Sequence, residues 1–368
     1  MNSPSGSTKR SYIATFDAIR ACAVLMVFTT HSGILLHLPD RIAGIAQFVR
    51  WSHFGVNLFF VLSGFLITRI LIRDKGKPRA YRNFLVRRAL RIFPIYYLTI
   101  IVLMIIEPGR YLLWSASYTS NYAYAIDTTI NPMLHSWSLS VEEHYYLLWS
   151  PIVLFLSLKI SRGFAFVIFP LISILGAAAT FAYFPEHAQM VVYQGTHVQI
   201  FALALGSAMA FGEDWLRTSS SRLFRVGITL VISGIALNML LGSVFEAEVV
   251  IRRFYSYSLV STGILCVFLG INDIKVIKEC EDKSTLLSNA KGVLYRLCTL
   301  PILVYIGRIS YGLYLYHFPI YTYFDLFPPK QSSALGTIAL SIALTFVMAI
   351  VSFHLIEQPI LRKKARFA

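Results

Sequence analysis

The first apolar stretch of the chain, FDAIRACAVLMVFTTH, contains three ionisable residues: Asp17, Arg20 and His31. In a helix, the step from Arg20 to His31 turns about 1100°, roughly three full turns, and rises about 16 Å. The two side chains are therefore predicted to share one helix face. Ionisable groups in apolar spans are costly and usually functional, and a neutral histidine is an effective general base near neutral pH. The competing interpretation is a structural Asp17–Arg20 pair and a histidine that is hydrogen-bonded to a neighbouring helix.

A second group of candidates, Arg87, Arg88 and Arg91, lies in the basic sequence RDKGKPRAYRNFLVRRALRIFP. We place these arginines at the start of the third helix, where backbone amides favour anions. Residues 87 and 91 share a helix face, residue 88 flanks it, and a guanidinium can bind phosphate through two hydrogen bonds at once. The arginines are therefore candidates to bind a phosphate-bearing ligand. The alternative is that they only anchor a cytoplasmic loop.

Two further polar groups interrupt apolar sequence. Ser63 precedes Gly64 in FFVLSGFLI, a pattern that is more typical of close helix packing than of catalysis. Glu142 and Glu143 follow His135 in HSWSLSVEEHYYLLW. The acidic pair could stabilise the first turn of a helix. It could also orient a histidine or bind the hydroxyls of a sugar.

The sequence GRISYGLYLYHFPI carries Tyr311, Tyr314 and His317 at helical spacing. A tyrosine stripe is usually packing or an interfacial belt, whereas a histidine within a span more often has a function. Together with Asp17, Ser63 and His135, these three residues are candidates to line a cavity.

The elements that must position these residues are transmembrane helices. Hydrophobic residues make up 56% of the 368 residues and charged residues only 14%, against about 25% charge in soluble domains. A helix of roughly 20 apolar residues crosses a bilayer. The fold class is therefore all-α, a polytopic membrane protein with about ten spans. The spans are predicted at about 17–37, 53–72, 92–107, 140–158, 164–184, 194–212, 226–244, 254–271, 300–325 and 334–358.

The distribution of basic residues predicts the orientation of these spans. With the N-terminus inside, the inner segments hold 24 Lys and Arg residues and the outer segments hold 6. This bias favours an N-in, C-in topology, and it explains the net charge of +15 without a nucleic-acid partner. The four cysteines match no metal-binding spacing, so we expect reduced thiols and no metal. The segment 108–139 is expected at the outer interface or re-entering it.

The motifs, taken in order, resemble the acyltransferase-3 family of integral membrane acyltransferases over residues 12–360. The pieces that match are Arg20 and His31 at their spacing, FFVLSGFLI, RRALR, HSWSLSVEEHYYLLW, GRISYGLYLYHFPI and IEQP. One motif departs from the family pattern, since Asp17-Ala18-Ile19-Arg20-Ala21 stands where D-G-L-R-G is common. The polar residues are kept, so the departure affects helix packing rather than the site.

The resemblance implies transfer of an acyl group, usually acetyl, from cytoplasmic acyl-coenzyme A to a hydroxyl of a carbohydrate or glycan. O-antigen, exopolysaccharide, peptidoglycan, Nod factors and macrolide antibiotics are acceptors in the family. It also implies a single membrane domain in the bacterial cytoplasmic (inner) membrane, in contact with membrane lipids and with an acceptor that is lipid-linked in some cases. The chain ends about ten residues after its last predicted span, so we expect no fused SGNH domain.

The mechanism that we expect assigns a role to each group. Arg87, Arg88 and Arg91 bind the nucleotide end of acetyl-coenzyme A, and His31 removes the proton of the acceptor hydroxyl. Glu142 orients the base or the acceptor, and Arg20 positions the pantetheine arm or stabilises charge on the thioester oxygen. A covalent acyl-enzyme on His31 or Ser63 is the less favoured variant. A polytopic transporter is the alternative from another class.

Overall fold

The computed structural model describes residues 14–37, 52–217, 220–242, 249–271, 286–330 and 332–363. Secondary structure within these ranges is helical throughout, which confirms the all-α fold class. Long apolar segments without water around them must satisfy their backbone groups internally, and a helix does so within one segment.

The helices of the first half run from α1 to α9. They are α1 Ala14–His31, α2 Ser52–Asp74, α3 Ala80–Ile106, α4 Arg110–Ala116, α5 Ser120–Ile126, α6 Trp137–Phe155, α7 Leu158–Gly163, α8 Phe169–Tyr183 and α9 Ala188–Gln194. Short 3-10 helices at Ile34–His37 and Leu134–Ser136 and a π-helical segment at Phe164–Ile168 complete this half.

The second half contains eight more helices among the described residues. They are α10 Thr196–Arg217, α11 Ser220–Gly242, α12 Val249–Ile271, α13 Leu286–Cys298, α14 Pro301–Arg308, α15 Ser310–Tyr323, α16 Leu335–Ser352 and α17 Gln358–Lys363. A π-helical segment, Phe353–Glu357, joins α16 to α17.

Six helical stretches among the described residues are long and apolar enough to cross a membrane, which supports an integral membrane protein. A bent pair within 289–308, whose two parts meet at 51°, would add a seventh span. The count of ten and the N-in, C-in orientation therefore remain predictions. Two of the other predicted spans are less suited to crossing a membrane. Helix α6 carries Glu142 and Glu143, and α15 has only 14 residues.

Three predicted boundaries differ from the structure. Helix α3 begins at Ala80 rather than near 92, so Arg88 and Arg91 lie more than two turns inside it. The prediction that backbone amides at the helix N-terminus help these arginines to bind an anion is therefore wrong. The predicted span 300–325 is divided at Ile309 into α14 and α15. Helix α6 begins at Trp137 rather than at 140, within the segment 108–139, whose earlier part folds into α4, α5 and a 3-10 helix.

Glycines bring the backbones of the central helices into contact. A Cβ atom at Gly64 of α2 would lie 2.0 Å from the Leu203 carbonyl oxygen of α10. Reciprocally, a Cβ atom at Gly206 would lie 1.9 Å from the Val61 carbonyl oxygen. Only residues without a side chain allow this approach. The α2–α10 contact therefore fixes one wall of the region that holds the candidate residues.

Candidate functional site

A cavity of about 260 Å³ lies among α1, α2, α3, α6 and α15, and we call it the arginine cavity. Its polar lining side chains are Arg20, Ser63, Arg88, Arg91, Ser138, Glu142, Tyr146, Ser310, Tyr311 and Tyr314. The remaining lining is apolar and comes mainly from α2, including Val56, Phe59 and Leu66. Helices α1, α3 and α6 thus each contribute charged side chains to this cavity.

Arg88 and Arg91 carry positive charge into the cavity without an ion-pair partner among the described carboxylates. The Arg88 guanidinium lies over the Tyr146 ring, 4.9 Å from its centre. Such a cation–π contact holds a guanidinium in place and leaves its N–H groups available to an anion. These two arginines are the strongest anion-binding feature of the cavity.

Arg87, one residue earlier, has a different environment. Its Nη2 atom lies 2.6 Å from Oδ2 of Asp74, and both side chains are buried. Asp74 also accepts hydrogen bonds from Lys77 at 2.8 Å and Arg73 at 3.1 Å. Arg87 does not line the cavity, and its contacts tie the loop after α2 to the start of α3.

Arg20 enters the cavity from α1 and is held by Asp17, one helical turn earlier. The second carboxylate oxygen of Asp17 lies 3.9 Å from Nε of Arg308 at the end of α14. A Cβ atom at Gly307 would lie 1.9 Å from the Asp17 carbonyl oxygen, so α14 packs directly on the backbone of α1. The structural pair considered for Asp17 and Arg20 exists, and it also aims Arg20 at the cavity.

Ser63 and Glu142 form the acidic wall of the cavity. The Ser63 hydroxyl donates a hydrogen bond of 2.6 Å to Oε1 of Glu142. Ser63 therefore faces the cavity, while Gly64 packs against α10 on the opposite side of α2. The two residues of this Ser-Gly motif thus have different environments, one facing the cavity and one in helix packing.

Two tyrosines of α15 close the cavity. The Tyr311 hydroxyl donates to the Ile92 carbonyl at 3.1 Å, which ties α15 to α3. The Tyr314 hydroxyl lies 2.6 Å from the Ser138 hydroxyl and 3.0 Å from the His135 carbonyl oxygen, which ties α15 to α6. Both tyrosines line the cavity, so the helix packing and the cavity wall depend on the same side chains.

His31, His135 and His317 lie close to one another beside Tyr314, and we call these four residues the histidine cluster. Nδ1 of His31 lies 3.0 Å from Nε2 of His317, and the two ring planes differ by 3°. The ring of His317 lies 5.4 Å from that of Tyr314 and 5.3 Å from that of His135. The cluster and the cavity therefore share one residue, Tyr314.

His135 is buried between aromatic rings, with 3% of its surface exposed. Its ring stacks on Phe318, with ring centres 5.2 Å apart, and neither ring nitrogen has a hydrogen-bond partner in the described part of the chain. Burial, together with nearby His31, lowers the pKa of His135 to about 3, because the charged form loses its hydration. His135 is therefore a neutral member of the cluster.

A known family model matches the sequence of this chain. The model described as an acyltransferase domain, Acyl_transf_3, matches residues 13–357. The chain belongs to the acyltransferase-3 family. Its membership confirms the resemblance and the prediction of an acyltransferase, and it favours that interpretation over the transporter.

Several curated proteins are similar to this acyltransferase-3 chain. It is 28% identical to the peptidoglycan O-acetyltransferase OatA of Listeria monocytogenes over 95% of this chain and 56% of that protein. It is 29% identical to the putative peptidoglycan O-acetyltransferase YrhL of Bacillus subtilis over 95% and 55%. For the O-acetyltransferase OatA of Staphylococcus aureus the identity is 26% over 96% and 58%. The chain thus spans a little over half the length of these relatives. No solved structure gave a significant match.

The structure of this acyltransferase-3 chain divides the predicted site residues into two sets. The residues that line the cavity are Arg20, Ser63, Arg88, Arg91, Glu142, Tyr311 and Tyr314. The residues placed outside its lining are Asp17, His31, Arg87, His135 and His317. Within the described ranges no group of three or more His, Cys, Asp or Glu side chains, the histidine cluster included, has an arrangement that could hold a metal ion.

Three polar cavity residues, Ser138, Tyr146 and Ser310, were not predicted from the sequence, and two of them lie on α6. Tyr146 lies four residues after Glu142 on α6, and Ser138 lies four residues before it. Residues four apart share a helix face, so the spacing from Glu142 could have identified both. Neither residue type is unusual in a span, which is why composition alone did not single them out.

Proposed function

We propose that this chain is a membrane O-acetyltransferase that moves an acetyl group from acetyl-coenzyme A to a hydroxyl of a glycan. The observation that carries the proposal is the presence of two arginines, Arg88 and Arg91, that line a cavity without an ion pair to a described carboxylate. A charged group left without an ion partner inside a membrane domain is costly unless a ligand compensates it. An anionic donor supplies that compensation.

The size of the cavity limits which part of the donor it encloses. At about 260 Å³ it is smaller than the roughly 300–1,000 Å³ of most small-molecule pockets. It would therefore take the acyl-bearing end of the donor, while the nucleotide lies at its opening. Arg88 and Arg91 would bind phosphate oxygens there through paired hydrogen bonds, which suits coenzyme A better than a donor without phosphate.

The proposed reaction is a direct transfer. Nε2 of His31 takes the proton of the acceptor hydroxyl, and the oxygen attacks the carbonyl carbon of the thioester. The carbon–sulfur bond breaks, the coenzyme A thiolate leaves, and the proton passes from His31 to the sulfur. Arg20 would stabilise the negative charge that develops on the carbonyl oxygen. We place the reacting carbonyl near Tyr314, which belongs to both the cavity and the cluster.

The proposed acceptor is a glycan hydroxyl on the outer side of the bacterial cytoplasmic (inner) membrane. Two of the relatives are named for peptidoglycan O-acetylation, which makes peptidoglycan the first acceptor to test. O-antigen and exopolysaccharide, free or lipid-linked, are the next arms of the test. A macrolide or a Nod factor is the alternative acceptor class.

The experiment uses the purified chain in nanodiscs with radiolabelled acetyl-coenzyme A and glycan fragments. A phosphate-free acetyl thioester at the same concentration is the matched control donor. We expect base-labile acetate on the glycan from acetyl-coenzyme A, and much slower transfer from the control donor. Equal rates from the two donors would contradict recognition of phosphate, and no transfer to any of the acceptors would contradict the proposed reaction.

A further inference from the structure

The hydrogen bond made by Nδ1 of His317 fixes where this imidazole carries its proton. Nδ1 lies 2.6 Å from the backbone carbonyl oxygen of Tyr314, one turn earlier in α15. A carbonyl oxygen can only accept a hydrogen bond, so Nδ1 of His317 must be the donor and must carry the hydrogen. The proton of this ring is therefore assigned by the backbone, independently of any other side chain.

His317 is neutral, which decides the role of its other nitrogen. The residue is fully buried, at 0% exposure, and stacks on Phe28 with ring centres 5.1 Å apart. No carboxylate forms an ion pair with it in the described ranges, so a buried imidazolium would lack compensation. A neutral ring with the hydrogen on Nδ1 has a lone pair on Nε2, which can only accept.

The partner of that lone pair is His31. Its Nδ1 lies 3.0 Å from Nε2 of His317, while the ring centres are 5.3 Å apart and the planes differ by only 3°. Nitrogen atoms that are so much closer than the ring centres belong to rings lying side by side, not face to face. An N–H in one ring plane then points along the lone pair of the other, which is good hydrogen-bond geometry.

We propose that His317 is a positioning residue that holds His31 in the tautomer with hydrogen on Nδ1, which makes Nε2 of His31 the basic nitrogen. This inference deepens the proposed function, on which its catalytic consequence rests. When Nε2 takes a proton from the acceptor hydroxyl, the ring becomes an imidazolium. The hydrogen bond from Nδ1 to His317 then becomes charge-assisted and strengthens as the reaction proceeds.

Neighbouring aromatic rings keep the base oriented. The rings of Phe318 and Phe327 meet His31 edge to face, each with ring centres 5.4 Å apart at 87° and 84°. Rotation of the His31 ring would disrupt both contacts as well as the bond to His317. The pair thus acts as a base and its orienting acceptor, as in sites where a group that accepts from one ring nitrogen selects the tautomer of a functional imidazole.

Two substitutions at 317 separate this role from simple packing. His317→Phe keeps an aromatic ring against Phe28 but removes the acceptor. His317→Gln loses the ring but can place an amide oxygen near the former Nε2 position. If His317 acts only through packing, the Phe variant should be the milder one. If it acts as the acceptor, the Gln variant should be the milder one.

The decisive measurement is the ¹⁵N spectrum of histidine-labelled protein in nanodiscs, with the His31 signals identified by their loss in His31→Asn. We expect hydrogen on Nδ1 and a bare Nε2 at His31 in the wild type and in His317→Gln. In His317→Phe we expect a shift toward the Nε2-protonated tautomer. Protonated Nε2 in the wild type, or an unchanged His31 spectrum in His317→Phe, would overturn the inference.

Kinetics provide a second readout that does not depend on the spectrum. We expect kcat of His317→Phe to fall by about 10–100-fold, a typical effect of losing an orienting partner, with the Kd for coenzyme A unchanged. His317→Gln should retain more activity than His317→Phe. A wild type without acetyl transfer would remove the proposed function but leave the tautomer result standing. Full activity in His317→Phe beside an active wild type would overturn the inference alone.

Discussion

The arginine cavity and the histidine cluster share Tyr314 but differ in electrostatic character. The cavity contains three guanidinium groups and one carboxylate, and two of its arginines, Arg88 and Arg91, make no ion pair with a described carboxylate. The cluster contains three imidazoles in contact with aromatic rings. Separation of the two suits a division of tasks, because a base close to fixed positive charge would bind its proton less readily. Under the proposed function, the cavity would bind an anion and the cluster would move a proton.

The largest expected effect is all-or-none and concerns which side of the membrane the cavity serves. Pro78, exposed in the loop between α2 and α3, is changed to Cys in a chain whose native cysteines are replaced. The positive charge of this loop predicts that it is cytoplasmic, so an impermeant thiol reagent should label it only after the cells are opened. Labelling in intact cells would place the anion site on the side without coenzyme A.

The next largest effect tests the proton-transfer half. His31→Ala should reduce acetyl transfer by about 10²–10⁴-fold, the usual consequence of losing a general base. The Kd for coenzyme A should be unchanged, since His31 does not line the cavity. The rate is measured in membranes with equal amounts of folded protein. Activity within about tenfold of the wild type would remove His31 from the chemistry.

A smaller effect tests the anion-binding half. Changing Arg88 and Arg91 together to Lys keeps charge and topology but removes the planar paired donors, so the Kd for coenzyme A should rise by about tenfold or more. Calorimetric titration measures it. Arg87→Lys is the matched control, because its partner is Asp74 rather than the cavity. An equal rise in the Kd of Arg87→Lys, or no rise in the Kd of the double variant, would contradict the assignment of anion binding to the cavity.

The smallest expected effect concerns the acidic wall. Ser63→Ala removes the hydrogen bond of 2.6 Å to Glu142 but leaves the carboxylate in place. We expect the rate to fall by less than about tenfold, because a single hydrogen bond in this setting contributes about 1 kcal/mol. Transfer is measured with the same donor and acceptor as for His31→Ala. Abolished transfer, with acetyl recovered on Ser63 of the wild type, would instead favour the covalent acyl-enzyme.

The sequence predicted the parts of the site that depend on local spacing. Arg20 and Glu142, both named from the sequence, line the cavity, whereas the helix face that Glu142 shares with its neighbours could have been derived from periodicity and was not. The all-α class follows from composition. The start of α3 was predicted twelve residues late, because the arginine-rich first turns from Ala80 do not look like an apolar span. Apolar runs report where lipid begins, not where the helix begins.

Contacts between distant parts of the chain were beyond reach of the sequence. His31 and His317 are separated by 286 positions, so no periodicity links them. The sequence treated Arg87, Arg88 and Arg91 as one group because they share one helical turn. The difference among them arises from Asp74, which lies beyond the turn between α2 and α3 and takes Arg87 out of the group. One carboxylate thirteen residues away decides which arginines are available to a ligand.

The backbone contacts between α2 and α10 restrict how the cavity can open. A Cβ atom added at Gly64 would lie only 2.0 Å from a carbonyl oxygen of α10, and one added at Gly206 would be about as close to α2. The two helices therefore cannot slide past one another. Sliding would bring a residue with a side chain to a position between the two backbones where only glycine fits. We therefore expect α2 to keep its position against α10 when the cavity opens. Helix α1 is packed on α14 in the same way at Gly307, so we expect movements that open the cavity in α3, α6 or α15. A cross-link between α2 and α10 should therefore leave turnover intact.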